Sequence, residues 1–377
     1  MRQIHFLHIL KDDKFVEPVM KGFAMEEEIS SEYIYYNRKG PLKFIKKESG
    51  ITIYNNRKDF IKKLKSGEYD VLYLHSMQYF FYLFLKYIPK DKILVWWEWG
   101  YDIYGDQALG MKSFVNMDFY MPQTQALRNE CMSFPKRILR TIIGNILSIP
   151  YSIYRKYLIN RVDYFQPVRH FDYELMKVHT HFRAKEFYRT KYPQVDISFS
   201  QRAIDGAILI GNSASPVNNH VDIWKTIESN IPVERNVIVP LSYGSKVYGE
   251  KVKQIIRNSD HNFIFLDNII PRNEYFSMID RCSYAVYGSL RQHAMGNISF
   301  ALRYGIKVFL YKKSPIYSYL ISAGFKVFAI EDVDNKSFNT PLSFTEHKCN
   351  ILAYNREVEY RREVGVAALK EISSSIR

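Results

Sequence analysis

Cysteine is scarce. The three present, Cys131, Cys282 and Cys349, lie far apart, with no CxxC pair and no Cys/His ligand spacing. That argues against a zinc site, and an odd, sparse set reads as reduced thiols in a cytoplasmic protein. Long apolar runs are also missing. No stretch reaches the roughly 20 residues needed to span a bilayer, so a soluble or peripheral protein is expected. The opening "MRQIHFLHILKDDKF" has too short an apolar run for a signal peptide and lacks a cleavage pattern. Internal repeats and low-complexity tracts are absent. Acid is in deficit: 39 Asp and Glu stand against 53 Lys and Arg, a formal net charge of +14. Such an excess favours phosphate-rich partners, whether nucleic acid, anionic membrane or phosphorylated small molecules.

What is abundant is apolar and aromatic. The 377 residues are 47% hydrophobic and include 30 Tyr and 25 Phe, a globular composition long enough for two domains. Between Ala207 and Ile330 the runs "AILIG", "NVIVPL", "NFIFL", "YAVYG", "KVFLY" and "KVFAI" alternate with helix-period stretches at His220–Ser229, Tyr248–Arg257, Asn273–Arg281, Met295–Tyr304 and Ile316–Ala323. Strands of about five residues alternating with helices of about ten predict βαβ units, a parallel sheet and a Rossmann-like domain. Pro271 and Pro315 suit first helical turns, and Gly305 suits a helix C-cap.

The N-terminal half reads as a second, less regular α/β domain. Its predicted strands are "IHFLHIL", "SEYIYYN", "DVLYLH" and "KILVWWEWG"; its predicted helices are Asn55–Lys65 and Tyr79–Tyr87. Cys131–Val162 carries six basic residues (Lys136, Arg137, Arg140, Arg155, Lys156, Arg161) and no acid, among Ile138, Leu139, Ile142, Ile143, Ile146 and Leu147. A basic amphipathic segment of this kind lies on an anionic membrane surface or packs as a core helix with a solvated basic face. Asp163–Ser200 is polar and turn-rich after "VDYFQPV" and is expected to hold the domain junction. Asn350–Arg377 reads as a charged helix.

Two loops of the C-terminal half are suited to an anion. In "ILIGNSASPVNNH", Gly211-Asn212-Ser213 leaves the carboxyl end of a strand, where open parallel sheets bind ligands, and a helix N-terminus follows. In "GSLRQHAMGNISFAL", Arg291 and His293 precede the Gly296-Asn297 pair that opens an apolar helix, and a guanidinium fork matches phosphate oxygens. Each loop alone also fits a capped βα turn; together they suggest a nucleoside diphosphate. Neither contains GxGxxG or GxxxxGK[ST], which argues against dinucleotide and P-loop sites. The N-terminal half offers His5, His75, and Glu98 and Asp102 within "WEWGYDIYG" as titratable groups at strand ends. A carboxylate among indoles would suit a general base, or Asp102 simply caps a turn. His8 has only its neighbourhood to recommend it.

These stretches, with "YLHS", "VIVPLSYG" and "YFSMIDRCSYAVYG", resemble the bacterial TDP-4-acetamido-4,6-dideoxygalactose:lipid II transferases of enterobacterial common antigen synthesis, a 4-alpha-L-fucosyltransferase-like family. The likeness runs from about residue 1 to about 330. "WEWGYDIYG" is similar to the family's WGxDLY motif at Trp99, Gly100, Asp102 and Tyr104. The resemblance implies a GT-B glycosyltransferase of α/β class, with two Rossmann-like domains facing across a cleft. It implies an acceptor-binding, membrane-facing domain over residues 1–190, a nucleotide-sugar domain over 191–350 and a C-terminal helix over 351–377. Donor binding would fall to Gly211, Asn212, Ser213, Tyr243, Arg291, Gln292, Gly296 and Asn297. Asp102 would be the first choice of base, with His75 and His5 behind it. Lys136, Arg137 and Arg140 would meet the membrane at the cytoplasmic face of the inner membrane. The implied partners are a TDP-sugar and a polyprenyl-pyrophosphate-linked saccharide, with no metal, no cofactor and no nucleic acid. A capsule or O-antigen transferase with another nucleotide sugar is the nearest alternative, and a basic nucleic-acid-binding module the alternative of another class. Two departures stand out: Glu98 is a carboxylate the family would not place there, and helix Met295–Tyr304 lacks the carboxylate with which many GT-B enzymes hold the ribose.

Overall fold

The computed structural model describes residues 2–10, 16–37, 50–77, 81, 83–104, 114, 115, 117, 119–192 and 202–376, apart from the side chains of 147–155 and of Arg272. In chain order the first elements are β1 (Ile4–Ile9), α1 (Val16–Phe23), β2 (Ile29–Tyr36), β3 (Ile51–Tyr54), α2 (Arg57–Ser66), β4 (Val71–His75), β5 (Ile93–Trp97), α3 (Tyr101–Tyr104), α4 (Pro122–Glu130), α5 (Phe134–Arg161), β6 (Tyr164–Gln166), α6 (His170–His179) and β7 (Lys185–Glu186). Then follow β8 (Ala207–Ile210), α7 (His220–Ile227), β9 (Asn236–Pro240), α8 (Lys246–Ile256), β10 (Asn262–Leu266), α9 (Arg272–Ile279), β11 (Cys282–Tyr287), α10 (Met295–Arg303), β12 (Lys307–Leu310), α11 (Pro315–Ser322), β13 (Phe328–Ala329) and α12 (Phe344–Ser375).

The chain forms two compact units. One comprises Met1–Asn116, Arg140–Gln194 and Val358–Arg377; the other comprises Met117–Leu139 and Val195–Glu357. Contiguous blocks divided near residue 190 therefore do not describe the partition. The segment carrying α4 belongs to the C-terminal unit, and the end of α12 belongs to the N-terminal one. Such long-range exchanges leave no local mark in the sequence.

Each unit is built on one parallel sheet, in the order β3-β2-β1-β4-β5-β6-β7 for the first and β10-β9-β8-β11-β12-β13 for the second. Parallel sheets are covered on both faces, so their central strands read as unbroken apolar runs rather than alternating ones. β4 (VLYLH) and β11 (CSYAVY) are buried at every position. In the second unit all six anticipated strands and all five helices form, shifted by a residue or two at their ends. Pro315 opens α11, whereas Pro271 stands one place earlier, as the N-cap of α9. Gly305 takes a left-handed φ of 72° just beyond α10.

The first unit contains more than its sequence announces. β3 and β6 form where no element was anticipated, and α6 and β7 fall inside the region read as turn-rich. Of the anticipated helix Tyr79–Tyr87, Leu85–Tyr87 forms a single 3₁₀ turn, while residues 79, 80 and 82 lie outside the described residues. The N-terminal core gathers Phe6, Phe23, Tyr33, Tyr73, Val95 and Phe187, closed by Ala368, Leu369 and Ile372 of α12.

In both sheets the strand order reverses beside the first strand: between β1 and β4 in one, between β8 and β11 in the other. Such switch points leave a crevice outside the carboxyl ends of the strands, the usual ligand position in doubly wound sheets.

Candidate functional site

Gly211 leaves β8 and Gly288 leaves β11, so the two loops flank the switch point of the C-terminal sheet. Gly211 has φ +69°, and a Cβ there would come within 2.6 Å of His220 Nε2. The position therefore excludes any side chain twice over, by conformation and by space. Asn219 and Ala294, the residues before α7 and α10, are also left-handed, with φ of 52° and 57°. Non-glycine residues of this kind cost about 1–3 kcal/mol each and gather at ligand clamps. Neither helix has a side-chain hydrogen bond at its N-cap. Asn219 turns its side chain to other partners and Ala294 has none to offer, so neither N-cap side chain caps the first-turn N–H groups, the arrangement that receives an anion.

The rest of the site is laced together by polar side chains. Asn219 Oδ1 accepts from Met121 N (2.9 Å), and its Nδ2 donates to Gly288 O (2.7 Å) and Phe119 O (3.1 Å). One asparagine thereby ties the segment before α4 to both loops. Asn218 Nδ2 donates to Ser213 O (2.9 Å) and Ser213 Oγ (3.2 Å). Ser213 is buried, so of the proposed Gly211–Ser213 trio its side chain braces the loop from inside. Ala214 N donates to Tyr243 O (2.6 Å), which brings the Tyr243 backbone beside the first loop; its side chain is exposed. Arg291 Nη1 donates to Gln292 O (2.8 Å), and its guanidinium lies 5.7 Å from the Phe119 ring centre. Gln292 is buried; Gly296 has open space where a Cβ would stand; Asn297 Nδ2 is spent on Tyr275 Oη (2.7 Å). The structure thus gathers Gly211, Asn212, Tyr243, Arg291 and Gly296 around one strand edge, with Asn297 turned toward α9. Asn218, Asn219, His220 and His293 join them. Three of those four close the "SPVNNH" stretch, where a run of polar residues before an apolar helix was the available signal.

In the N-terminal unit the candidates separate. His75 ends β4, and its Nε2 lies 3.0 Å from His8 Nδ1 across the β1/β4 switch point. His8 Nε2 lies 3.2 Å from Ser31 Oγ. Burial pushes His75 down to about 3, helped by the charge of Arg189, and drives His8 well below the usual imidazole range, with His75 and His5 adding repulsion. Both rings are therefore neutral at physiological pH. Trp97 and Trp99 meet the His75 ring edge-on, at centroid distances of 5.3 and 6.3 Å. His8 had little to mark it in the sequence; only the register of β1 on β4 brings it to His75. His5 lies three residues earlier, near the amino end of β1, where its Nδ1 meets Ser30 Oγ at 3.0 Å and its Nε2 faces Glu32 at 3.6 Å. It is remote from the strand ends that carry His75.

Asp102 is bound into the fold through both carboxylate oxygens, and burial raises it above the usual carboxyl range. Its Oδ2 accepts from Met77 N (2.9 Å) and Trp96 Nε1 (2.8 Å), and its Oδ1 accepts from Trp99 N (2.9 Å). A buried carboxylate with three donors holds the β4 and β5 ends together and has little capacity left for a substrate proton. Glu98 accepts from Val168 N (2.8 Å) and Gly100 N. It pairs with Asp172, which also accepts from Tyr104 Oη (2.6 Å). Burial lifts Asp172 to about 7; burial, with Asp172 and Asp102 nearby, pushes Glu98 well above the usual carboxyl range. Gly105, the end of the "WEWGYDIYG" motif, lies outside the described residues. No group of three or more His, Cys, Asp or Glu among the described residues is placed to hold a metal ion.

On α5, Lys136 and Arg137 are exposed, and Arg140 is half-buried. Arg137 lies over the Phe134 ring, 5.4 Å from its centre. The apolar residues beside them face outward: Phe134 is 64% exposed, Leu139 56% and Ile146 62%. Leu147 and Arg155 have side chains outside the described set. No described helix is long and apolar enough to cross a membrane.

Residues 165–342, a little under half of the chain, match the family model of 4-alpha-L-fucosyltransferases, glycosyl transferase group 56. The match takes in both loops of the C-terminal switch point. Among solved structures, Anabaena HepE in complex with UDP-glucose is similar at 12% identity and a TM-score of 0.58, covering 98% of this chain and 100% of that one. The alpha,alpha-trehalose 6-phosphate synthase of Burkholderia multivorans is similar at 10% identity and a TM-score of 0.58, covering 100% and 98%. A UDP-forming trehalose-phosphate synthase of Burkholderia xenovorans gives 11% identity and a TM-score of 0.57, covering 99% and 100%. The fold is GT-B, built from two parallel-sheet α/β domains, and together with the family match it makes the chain a glycosyltransferase.

Proposed function

We propose that the protein transfers a deoxyamino sugar of the N-acetylfucosamine type from a TDP-sugar to a polyprenyl-pyrophosphate-linked saccharide in surface polysaccharide synthesis. The observation that carries this reading is the pair of uncapped, left-handed helix entries, one on each side of the β8/β11 switch point, with Arg291 in the second. In the transfer, the bond from the sugar's anomeric carbon to the diphosphate breaks and the acceptor oxygen bonds to that carbon. Negative charge grows on the departing diphosphate, and groups aimed there act where stabilisation accelerates the reaction. Arg291 and the N–H groups opening α7 and α10 are those groups. The acceptor hydroxyl must lose its proton, and we place that role on His75 at the end of β4, whose imidazole, held at about 3 by burial, has to gain basicity when the acceptor binds beside it.

Attachment to the cytoplasmic face of the inner membrane belongs to the same reading. On α5, Phe134, Ile138, Leu139, Ile142, Ile143 and Ile146 are exposed beside Lys136 and Arg137, in a helix without an acidic residue. Apolar area left in water is unfavourable, and adjacent cations favour a cover that is apolar within and anionic at its surface. The test is a donor panel. Protein is mixed with TDP-, UDP- and GDP-sugars and lipid-linked acceptors, and nucleoside diphosphate release is followed. Acceptor-dependent release from a TDP-sugar supports the proposal; release from UDP- or GDP-sugars alone moves it to a capsule or O-antigen transferase. Stronger thermal stabilisation by an oligonucleotide than by TDP would favour a nucleic-acid module.

A further inference from the structure

The polar groups of the C-terminal switch point outnumber their partners. Asn218 Oδ1, His220 Nε2 and His293 Nε2 are each buried, and none hydrogen-bonds to another group among the described residues. Buried polar atoms are nearly always paired, so three unpaired ones at one edge of one sheet call for a reason. Their placement supplies one. His220 is the first residue of α7, with its ring against Gly211 and its Nδ1 3.3 Å from Tyr248 Oη. His293 stands in the loop that carries Arg291, one residue before the left-handed Ala294. His220 is itself almost wholly buried, which sets it apart from a surface histidine that happens to lack a partner.

We propose that His220 and His293 hydrogen-bond the donor's diphosphate through Nε2, and that the diphosphate enters together with a proton taken up by this pair. The proposal rests on the donor-site reading above. Burial holds His220 at about 3; burial, then Arg291 and His220, holds His293 at about 3. Both are therefore neutral in the free protein. Among the described residues, Arg291 acts on His293 from the same loop, and Tyr248 on α8, with Asp222 of α7 near it, meets His220. Asp222 is the acid among them, and its carboxylate already accepts from Gln123 N (2.9 Å) and Thr124 N (2.8 Å). Arg291 thus sets a positive charge beside His293, and the carboxylate of Asp222 is already engaged. A diphosphate reverses that sign, and an opposite charge within hydrogen-bond reach favours the imidazolium. The proton comes from solvent and no covalent bond changes.

Calorimetric titration of the full-length protein with TDP, at one pH near 7.5 in buffers of different ionisation enthalpy, tests this. Enthalpy that rises with buffer ionisation enthalpy, with a slope approaching one proton per TDP, is expected. In His293→Gln the slope should fall by at least half and affinity drop about tenfold or more. TDP binding to the unmodified protein with no buffer dependence overturns the proposal and leaves the donor site standing. An unchanged slope and affinity in both His293→Gln and His220→Gln also overturns it. Failure of TDP to bind at all removes the donor-site reading and this proposal with it.

Discussion

Asp102 joins the ends of β4 and β5 through its hydrogen bonds. Its carboxylate holds Met77 N, Trp96 Nε1 and Trp99 N, so an amide in its place would oppose donors with donors. Asp102→Asn should lower unfolding stability by about 1–3 kcal/mol, the cost of a buried polar group left unsatisfied, while folded protein keeps most of its turnover. His75→Gln should show the reverse: near-parental stability and a turnover loss of roughly 10²–10⁴, the usual contribution of acid–base catalysis. Denaturation midpoints beside single-substrate kinetics separate the two, and a collapse of turnover in stable Asp102→Asn would return the base to that residue. Arg291 belongs to donor binding instead. Arg291→Ala should weaken TDP binding by about 1.5–3 kcal/mol, the range for hydrogen bonds to charged groups. Unchanged affinity in calorimetry would remove Arg291 from the site.

At the scale of elements, legibility followed burial and locality. β8 to β12 were plain because buried parallel strands are apolar throughout and amphipathic helices of regular length part them. β3 has exposed residues on a short strand, β7 has two residues, and β6 hides within "VDYFQPV", so none gave a periodic signal. The loops after β8 and β11 were legible as strand-end loops leading into helices, but the lacing by Asn218 and Asn219 was not, since its partners lie up to 100 positions away. The His8–His75 contact, 67 positions apart, likewise exists only once β1 pairs with β4.

The join between α6 and the end of β5 carries a pH consequence. Asp172, lifted from 3.8 to about 7, binds a proton more tightly folded than unfolded. Its contribution to stability is present below about pH 4 and lost as pH rises to 7. His75, His220 and His293, lowered from 6.5 to about 3, act the other way: their contribution is present above 6.5 and lost as pH falls. Asp172→Asn removes the opposing carboxyl and should make stability fall more steeply between pH 7 and 5. Urea midpoints at the two pH values would measure it, and an equal fall in parent and variant would show that Asp172 does not titrate there. For α5, replacing Lys136, Arg137 and Arg140 by Gln should release the protein from anionic vesicles with TDP binding intact. Each cation near such a surface contributes about 1 kcal/mol, screened over a Debye length. Sedimentation that ignores lipid charge, salt and these substitutions would leave the exposed apolar stripe without a lipid partner.

At the scale of the molecule, two doubly wound sheets carry the chain, and each has polar groups at the point where strand order reverses. The N-terminal unit places paired neutral histidines there, and the C-terminal unit places open helix entries and a guanidinium. A formal charge of +14 is spread over the whole sequence and cannot by itself tell a nucleotide sugar from a nucleic acid. The most direct measurement is nucleoside diphosphate release from a TDP-deoxyamino sugar by the full-length protein, with a polyprenyl-pyrophosphate-linked saccharide in anionic vesicles. The expected result is TDP release that requires the acceptor, yields a lipid-linked product longer by one sugar, and falls sharply in Arg291→Ala. Release that is indifferent to the acceptor, or unaffected by Arg291→Ala in a folded variant, would contradict a transferase working through the β8/β11 switch point.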